Sequence, residues 1–247
     1  MSDHAVCAYG LRKRYRGVTA LDGVDLEIGH GEVYALLGPN GAGKTTTVEI
    51  LEGYRRRDAG TVRVLGTDPQ RAPMSWRYDI GVVLQEARDL PELTVAETVR
   101  HFAGYYPRPR PVDEVIELVG LGEVAGRRLR ALSGGQRRRV DVAIGIVGRP
   151  RLLFLDEPTT GFDPHARRRF WELIHTRARE DDMTIMLTTH YLEEAEALAD
   201  RIGVLRAGRI VAEGDPATIG GRRPVTATII LPTLEEIYLR LVEQEPP

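Results

Sequence analysis

Residues 38–45 read Gly-Pro-Asn-Gly-Ala-Gly-Lys-Thr and follow directly on the apolar run Val33-Tyr34-Ala35-Leu36-Leu37. This fits the phosphate-loop pattern in full, and the pattern has meaning only between a strand and a helix. Val33–Leu37 predicts that strand, and Lys44–Leu51 predicts the helix. Gly38, Gly41 and Gly43 let the backbone curl until successive amides point inward at phosphate oxygens. The helix N-terminus adds the positive end of its dipole. Lys44 is expected to reach the β- and γ-phosphates, and the Thr45 hydroxyl to ligate Mg²⁺. A purely structural glycine turn has no use for a lysine and a hydroxyl at these offsets. ATP and Mg²⁺ are therefore the expected ligands.

A phosphate loop needs a sheet behind it, and the remaining chain supplies the runs for one. Ile80–Leu84, Leu152–Leu155 and Met183–Leu187 are short apolar stretches, each ending at a polar or acidic residue and separated by helical stretches. That alternation predicts an α/β fold with a mostly parallel sheet covered by helices, whose ligand crevice lies at the strand C-terminal ends. Between Gln85 and Ser133 the texture changes. Val95–Tyr105 and Val112–Val119 read as helices interrupted by Pro107, Pro109 and Pro111, so a mainly helical subdomain, about residues 86–138, is expected as an insert. Ile202–Leu205 and Ile210–Glu213, joined around Gly208, read as a hairpin. Leu234, Ile237, Tyr238 and Leu241 space one apolar face along a last helix.

Leu152-Leu153-Phe154-Leu155 ends in two carboxylates, Asp156 and Glu157. A buried strand that delivers acids at its end suits a Mg²⁺ site. Asp156 is expected to hold the metal through water, and Glu157 to orient or deprotonate the attacking water. Many buried strands end in an acid, so this pattern gains its force from the phosphate loop upstream.

Bulk properties narrow the class. The 247 residues suffice for one large α/β domain or two small ones, and 42% hydrophobic with 28% charged residues is ordinary for a globular chain. A formal charge of −2 gives no general attraction to nucleic acid. Cys7 is the only cysteine, which excludes an intrachain disulfide and suits a reducing compartment. No apolar run approaches the roughly 18 residues of a membrane span, and Met1-Ser2-Asp3-His4 lacks the blocks of a signal peptide. Any membrane role is then expected to use the spans of another protein. Arg55–Arg57, Arg127–Arg128, Arg137–Arg139 and Arg167–Arg169 are expected to be solvated faces and loops. Without interleaved aromatics they do not predict a nucleic-acid partner.

Leu132-Ser133-Gly134-Gly135-Gln136 precedes the acidic strand end. Ser133 is a good N-cap, Gly134 and Gly135 permit close backbone approach, and a helix from Gln136 makes a second anion site. With this pentapeptide the chain resembles the ABC transporter ATPases, from about Tyr9 to Glu213 and with every motif in order. The resemblance implies a RecA-like P-loop core with an antiparallel β subdomain and an inserted helical subdomain, together spanning residues 1–220. It implies that Ser133, Gly134, Gly135 and Gln136 close on the γ-phosphate held by a second subunit, so that hydrolysis requires a dimer, in the simplest case a homodimer.

The resemblance also carries over further residues. Tyr15 matches the aromatic that stacks on adenine. Pro39, Asn40, Ala42 and Thr46 complete the nucleotide-binding loop. Gln85 matches the glutamine that senses Mg²⁺ and the transmembrane partner, and Asp163, in Thr160-Gly161-Phe162-Asp163, matches the acid coupling the two sites. Phe162 replaces the usual leucine. His190, after Thr188-Thr189, matches the switch histidine beside the γ-phosphate. Catalysis thus falls to Lys44, Glu157 and His190, and the metal to Thr45, Gln85 and Asp156. Transmembrane permease subunits are the implied partners, at the cytoplasmic face of a membrane. Within the family, the continuous Gly38–Thr47 stretch, Asp156–Gly161 and the late Pro232-Thr233-Leu234-Glu235-Glu236 resemble the drug-export ATPases typified by the daunorubicin exporter. Here, however, the segment before that ending looks short, leaving 221–247 as a brief extension. Translation-factor relatives join two cassettes and repair relatives insert a long coiled coil, and neither feature is present. A non-hydrolysing regulator would be expected to lose Glu157 or His190.

Overall fold

The computed structural model describes residues 4–84 and 90–219. In chain order these form β1 (His4–Tyr15), β2 (Val18–Gly29), β3 (Val33–Leu37), α1 (Lys44–Leu51), β4 (Ala59–Val64) and β5 (Ile80–Val83). There follow α2 (Val95–Ala103), α3 (Val112–Leu118), α4 (Gly134–Val147), β6 (Leu152–Asp156), α5 (Pro164–Glu180) and β7 (Thr184–Thr189). The last described elements are α6 (Leu192–Leu198), β8 (Arg201–Arg206), β9 (Arg209–Gly214) and the single turn α7 (Pro216–Ile219). Gln85 and the segment 221–247, with its expected terminal helix, lie outside the described residues.

The chain divides into two compact units. One comprises residues 1–71 and 186–247, the other residues 72–185. In the first, β1 pairs antiparallel with both β2 and β4. β3 pairs parallel with β8, and β8 antiparallel with β9, so the expected hairpin around Gly208 is present. All five residues of β3 are buried, the signature of a strand covered on both faces. Its core is aliphatic, with Leu11, Leu21, Ile28, Leu36 and Leu51 fully enclosed.

In the second unit β5 pairs parallel with β6, whose five residues are again all buried. Helices α2, α3 and α4 pack on one another in this unit. Thr94 opens α2 with a capping box, its Oγ1 accepting from Glu97 N at 3.2 Å and the Glu97 carboxylate accepting from Thr94 N at 2.9 Å. Tyr106 meets Tyr78 edge-on at 6.2 Å and occupies the space a side chain at Gly148 would need, so it is a packing residue. Its neighbour Tyr105 is largely exposed. Among the described residues no helix is long and apolar enough to cross a membrane.

Candidate functional site

The phosphate loop is fastened at both ends. Gly38 N donates to Thr189 O at 3.2 Å, tying the loop's start to the end of β7, and Gly208 N donates to Ala42 O at 3.0 Å from the hairpin turn. Two glycines are sterically required. A Cβ at Gly38 would lie 2.4 Å from Leu205 O, and one at Gly43 would lie 2.6 Å from Ala20 O. Gly43 also has φ +109°, a left-handed conformation that costs a side-chain-bearing residue energy. Lys44 is only 5% exposed, and its Nζ donates to Gly38 O at 2.8 Å and Pro39 O at 3.2 Å. The ammonium therefore lies against the loop's own curl, where a polyphosphate would meet it. Thr45 is exposed on the first turn of α1 and Thr46 is half-buried, while Asn40 and Gly41 lie open at the tip. The donor set and the cradle fit the phosphates of a nucleotide.

His190 directly follows Thr189, the residue bonded to Gly38, so the expected switch histidine stands just past the β7 end that is hydrogen-bonded to the start of the loop. Its ring lies 4.0 Å from that of Tyr191, and Thr189 Oγ1 accepts from Tyr191 N at 2.9 Å, fixing the turn. Tyr15 ends β1 half-buried. The Lys13 ammonium lies 5.4 Å and the Arg55 guanidinium 5.2 Å from its ring centroid. Both cations suit an electron-rich ring face.

The second unit holds the acids and the signature. Asp156 ends β6 at 4% exposure, and Glu157 follows at 8% with φ +44°. A positive φ at a glutamate is a strained backbone, and such strain persists where the surroundings enforce it. The Thr160 hydroxyl donates to Glu157 Oε2 at 3.4 Å. Ser133 caps α4 in a reciprocal box with Gln136, as its residue type predicts. A Cβ at Gly134 would meet nothing within 4 Å, and one at Gly135 would touch only Ala166 Cβ at 3.5 Å.

Asp163 caps α5, its carboxylate accepting from His165 N and Ala166 N at 2.9 Å each. The Ala166 amide first, with the His165 amide adding to it, holds the Asp163 carboxyl below its ordinary range against an opposing cost of burial. Phe162, where leucine is usual, packs edge-on against the buried Phe170 at 5.8 Å and 90°. Gln85 lies outside the described residues.

One expectation is corrected. The arginine runs are not all solvated. Arg138 is 7% exposed and bonds three backbone carbonyls, those of Leu84, Asp156 and Pro158. Arg57 forms a bidentate pair with Asp68 at 2.8 and 2.7 Å. The signal for Arg138 was available in the helical period. It shares the i, i+4 and i+7 stripe of α4 with the buried Val142 and Gly145.

The ABC transporter family model matches residues 21–160, which include the phosphate loop, the signature and the Asp156–Glu157 strand end. The daunorubicin resistance ATP-binding protein DrrA3 of Streptomyces coeruleorubidus is 42% identical over 219 residues, covering 87% of this chain and 69% of that protein. The Nod factor export ATP-binding protein I of Ralstonia nicotianae is 38% identical over 247 residues, covering 92% and 76%. A dimeric structure of a post-hydrolysis state of the ATP-binding cassette MJ0796, bound to ADP and Pi, aligns with a TM-score of 0.76 at 25% identity. The alignment covers 85% of this chain and 98% of that one.

Proposed function

The chain belongs to the ABC transporter family as one of its ATP-binding, ATP-hydrolysing cassettes, and from this premise we propose how it works and what it serves. Two copies sandwich two ATP molecules, each between the phosphate loop of one copy and the Ser133–Gln136 signature of the other. Closure reorients separate membrane subunits, and phosphate release reopens the pair. The exported compound is a drug, an antibiotic or a lipid-like molecule, as the names of the resistance and export relatives suggest. The cassette works at the cytoplasmic face of the membrane, held there by its permease. Residues 1–220 form the cassette with its helical insert at about 86–138, and 221–247 a short extension.

Individual roles follow from residue chemistry. Lys44, the loop amides and Thr46 bind the phosphates, and Tyr15 stacks on the base. Glu157 orients and deprotonates the attacking water. His190 supports the γ-phosphate, and Asp163 links the two sites. Thr45, Asp156 and Gln85 hold Mg²⁺, which when bound neutralises charge on the phosphate oxygens. Phosphoryl transfer asks little covalent chemistry of the protein, so positioning and charge stabilisation carry the rate.

The observation that carries the dimer reading is the open space over Gly134 at the capped start of α4, where an added Cβ would meet nothing within 4 Å among the described residues, on a helix end whose amides suit an anion. The test is turnover of the purified chain against its own concentration, with Glu157→Gln alongside. A specific rate that rises with concentration, and an ATP-stabilised Glu157→Gln dimer in sedimentation, support the reading. A specific rate independent of concentration, or near-normal turnover in Glu157→Gln, refutes it.

A further inference from the structure

We propose that Arg138 is a positioning residue for hydrolysis: its guanidinium clamps the backbone on both sides of Glu157 and so fixes the direction of that carboxylate. The proposal rests on the assignment of Glu157 to the attacking water.

The geometry is specific. Arg138 Nε donates to Pro158 O at 2.8 Å and Nη2 to Asp156 O at 3.0 Å, the carbonyls immediately after and before Glu157. Nη1 donates to Leu84 O, just past the end of β5, and the Asp141 carboxylate lies 3.6 Å from the same nitrogen. A buried guanidinium is tolerated only when its donors are satisfied, and here backbone carbonyls of two separate segments do much of that work. Between the two clamped carbonyls stands the left-handed Glu157, at φ +44°. Left unsupported, a glutamate there relaxes toward negative φ, and its side chain swings with it. Arg138 is thus the device that over-determines a strained residue, which is where such strain is found.

Its neighbours do not share the role. Arg137 is exposed, and Arg139 donates only a long bond, 3.4 Å, to Gly120 O. The task also needs a planar fork. A lysine offers one ammonium and cannot span carbonyls on both sides of a residue in this geometry. Because Arg138 lies on the helix that Ser133 caps, the same helix carries the signature at its start and the clamp on Glu157 along its side.

The test is a double-mutant cycle of Arg138→Met and Glu157→Gln, with Arg138→Gln as a second variant, on the full chain. Single-turnover ATP hydrolysis and nucleotide affinity are both measured. The expected result for Arg138→Met is affinity unchanged within about twofold and hydrolysis slowed about tenfold to a hundredfold, the scale of a misplaced reacting group. Arg138→Gln, which keeps two amide donors, recovers part of the rate. In the Glu157→Gln background either replacement costs almost nothing further, because the group being aimed is gone. Full hydrolysis in Arg138→Met, or the same fold-loss in both backgrounds, overturns the proposal while leaving Glu157 catalytic. Should Arg138→Met fail to fold, Arg138→Gln decides by the same cycle. Near-normal hydrolysis in Glu157→Gln with Arg138 intact overturns the Glu157 assignment itself, and the two failures are thereby told apart.

Discussion

Ser133 and Gln136 cap one another: Ser133 Oγ accepts from Gln136 N at 3.2 Å, and Gln136 Oε1 accepts from Ser133 N at 3.0 Å. The box satisfies the Ser133 amide at the N-cap and the Gln136 amide in the first turn of α4. Ser133→Ala removes one of these bonds and is expected to lower stability by about 1 kcal/mol. Ser133→Thr, which keeps the hydroxyl, is expected to retain most of it. Denaturant unfolding of both variants checks this, and an alanine variant as stable as the parent would show that the cap contributes nothing.

Lys44 Nζ bonds Gly38 O and Pro39 O, which holds its stem against the loop. Lys44→Met keeps the apolar stem and removes the charge. A charge-assisted hydrogen bond contributes about 1.5–3 kcal/mol, so ATP affinity is expected to fall about tenfold to a hundredfold. Titration with a fluorescent ATP analogue measures it. Unchanged affinity would place the polyphosphate elsewhere.

Much of the fold and of the site was legible because function here is written in local motifs. Val33–Leu37 and Lys44–Leu51 were read with the bounds the structure gives, since a wholly apolar run and a glycine-rich loop mark both limits sharply. The strand read from Met183 instead runs from Thr184 to Thr189, because the buried Thr188 and Thr189 look polar in sequence yet are β-branched and suit a strand. Arg138 was misread for a related reason. A charged residue counts as solvated until its partners are known, and Leu84, Asp156 and Pro158 come to it only through the tertiary fold. That Asp163 caps α5 through Ala166 and His165 is legible from Asp-Pro ahead of a helical stretch.

Asp163 gives a pH-dependent stability. Its carboxyl titrates below the ordinary value of 3.8, first because of the Ala166 amide. A group whose pKa is depressed by folding stabilises the native state above its unfolded pKa, and that contribution disappears as the pH falls through the folded value. Asp163→Ala is therefore expected to melt lower than the parent at pH 7, with the gap narrowing below about pH 4 as the parent's carboxyl protonates. Melting curves from pH 7 down to pH 3 read it directly. A gap independent of pH would mean that the side chain's charge plays no part in the cap.

Gly134 separates intramolecular from intermolecular need. Most glycines at tight sites fail on substitution because the chain itself has no room, as Gly38 and Gly43 would. At Gly134 a Cβ meets nothing within 4 Å, and the residue is the first of α4, where alanine is a better helix former than glycine. Gly134→Ala is therefore expected to fold with unchanged or slightly higher stability and to bind ATP at its own phosphate loop as the parent does. If the signature closes on the nucleotide of a second copy, the added methyl occupies the surface that must approach that phosphate. Turnover is then expected to fall at least tenfold, with the loss appearing in kcat and not in nucleotide affinity. Mixing Gly134→Ala with Lys44→Met sharpens the outcome. In a dimer of one copy of each, one composite site joins the intact loop of the Gly134→Ala copy to the intact signature of the Lys44→Met copy, and the other joins an altered loop to an altered signature. The mixture is therefore expected to recover partial turnover that neither variant shows alone, and a mixture as inactive as its components would count against composite sites. Full activity in Gly134→Ala by itself would show that no second phosphate approaches this helix end.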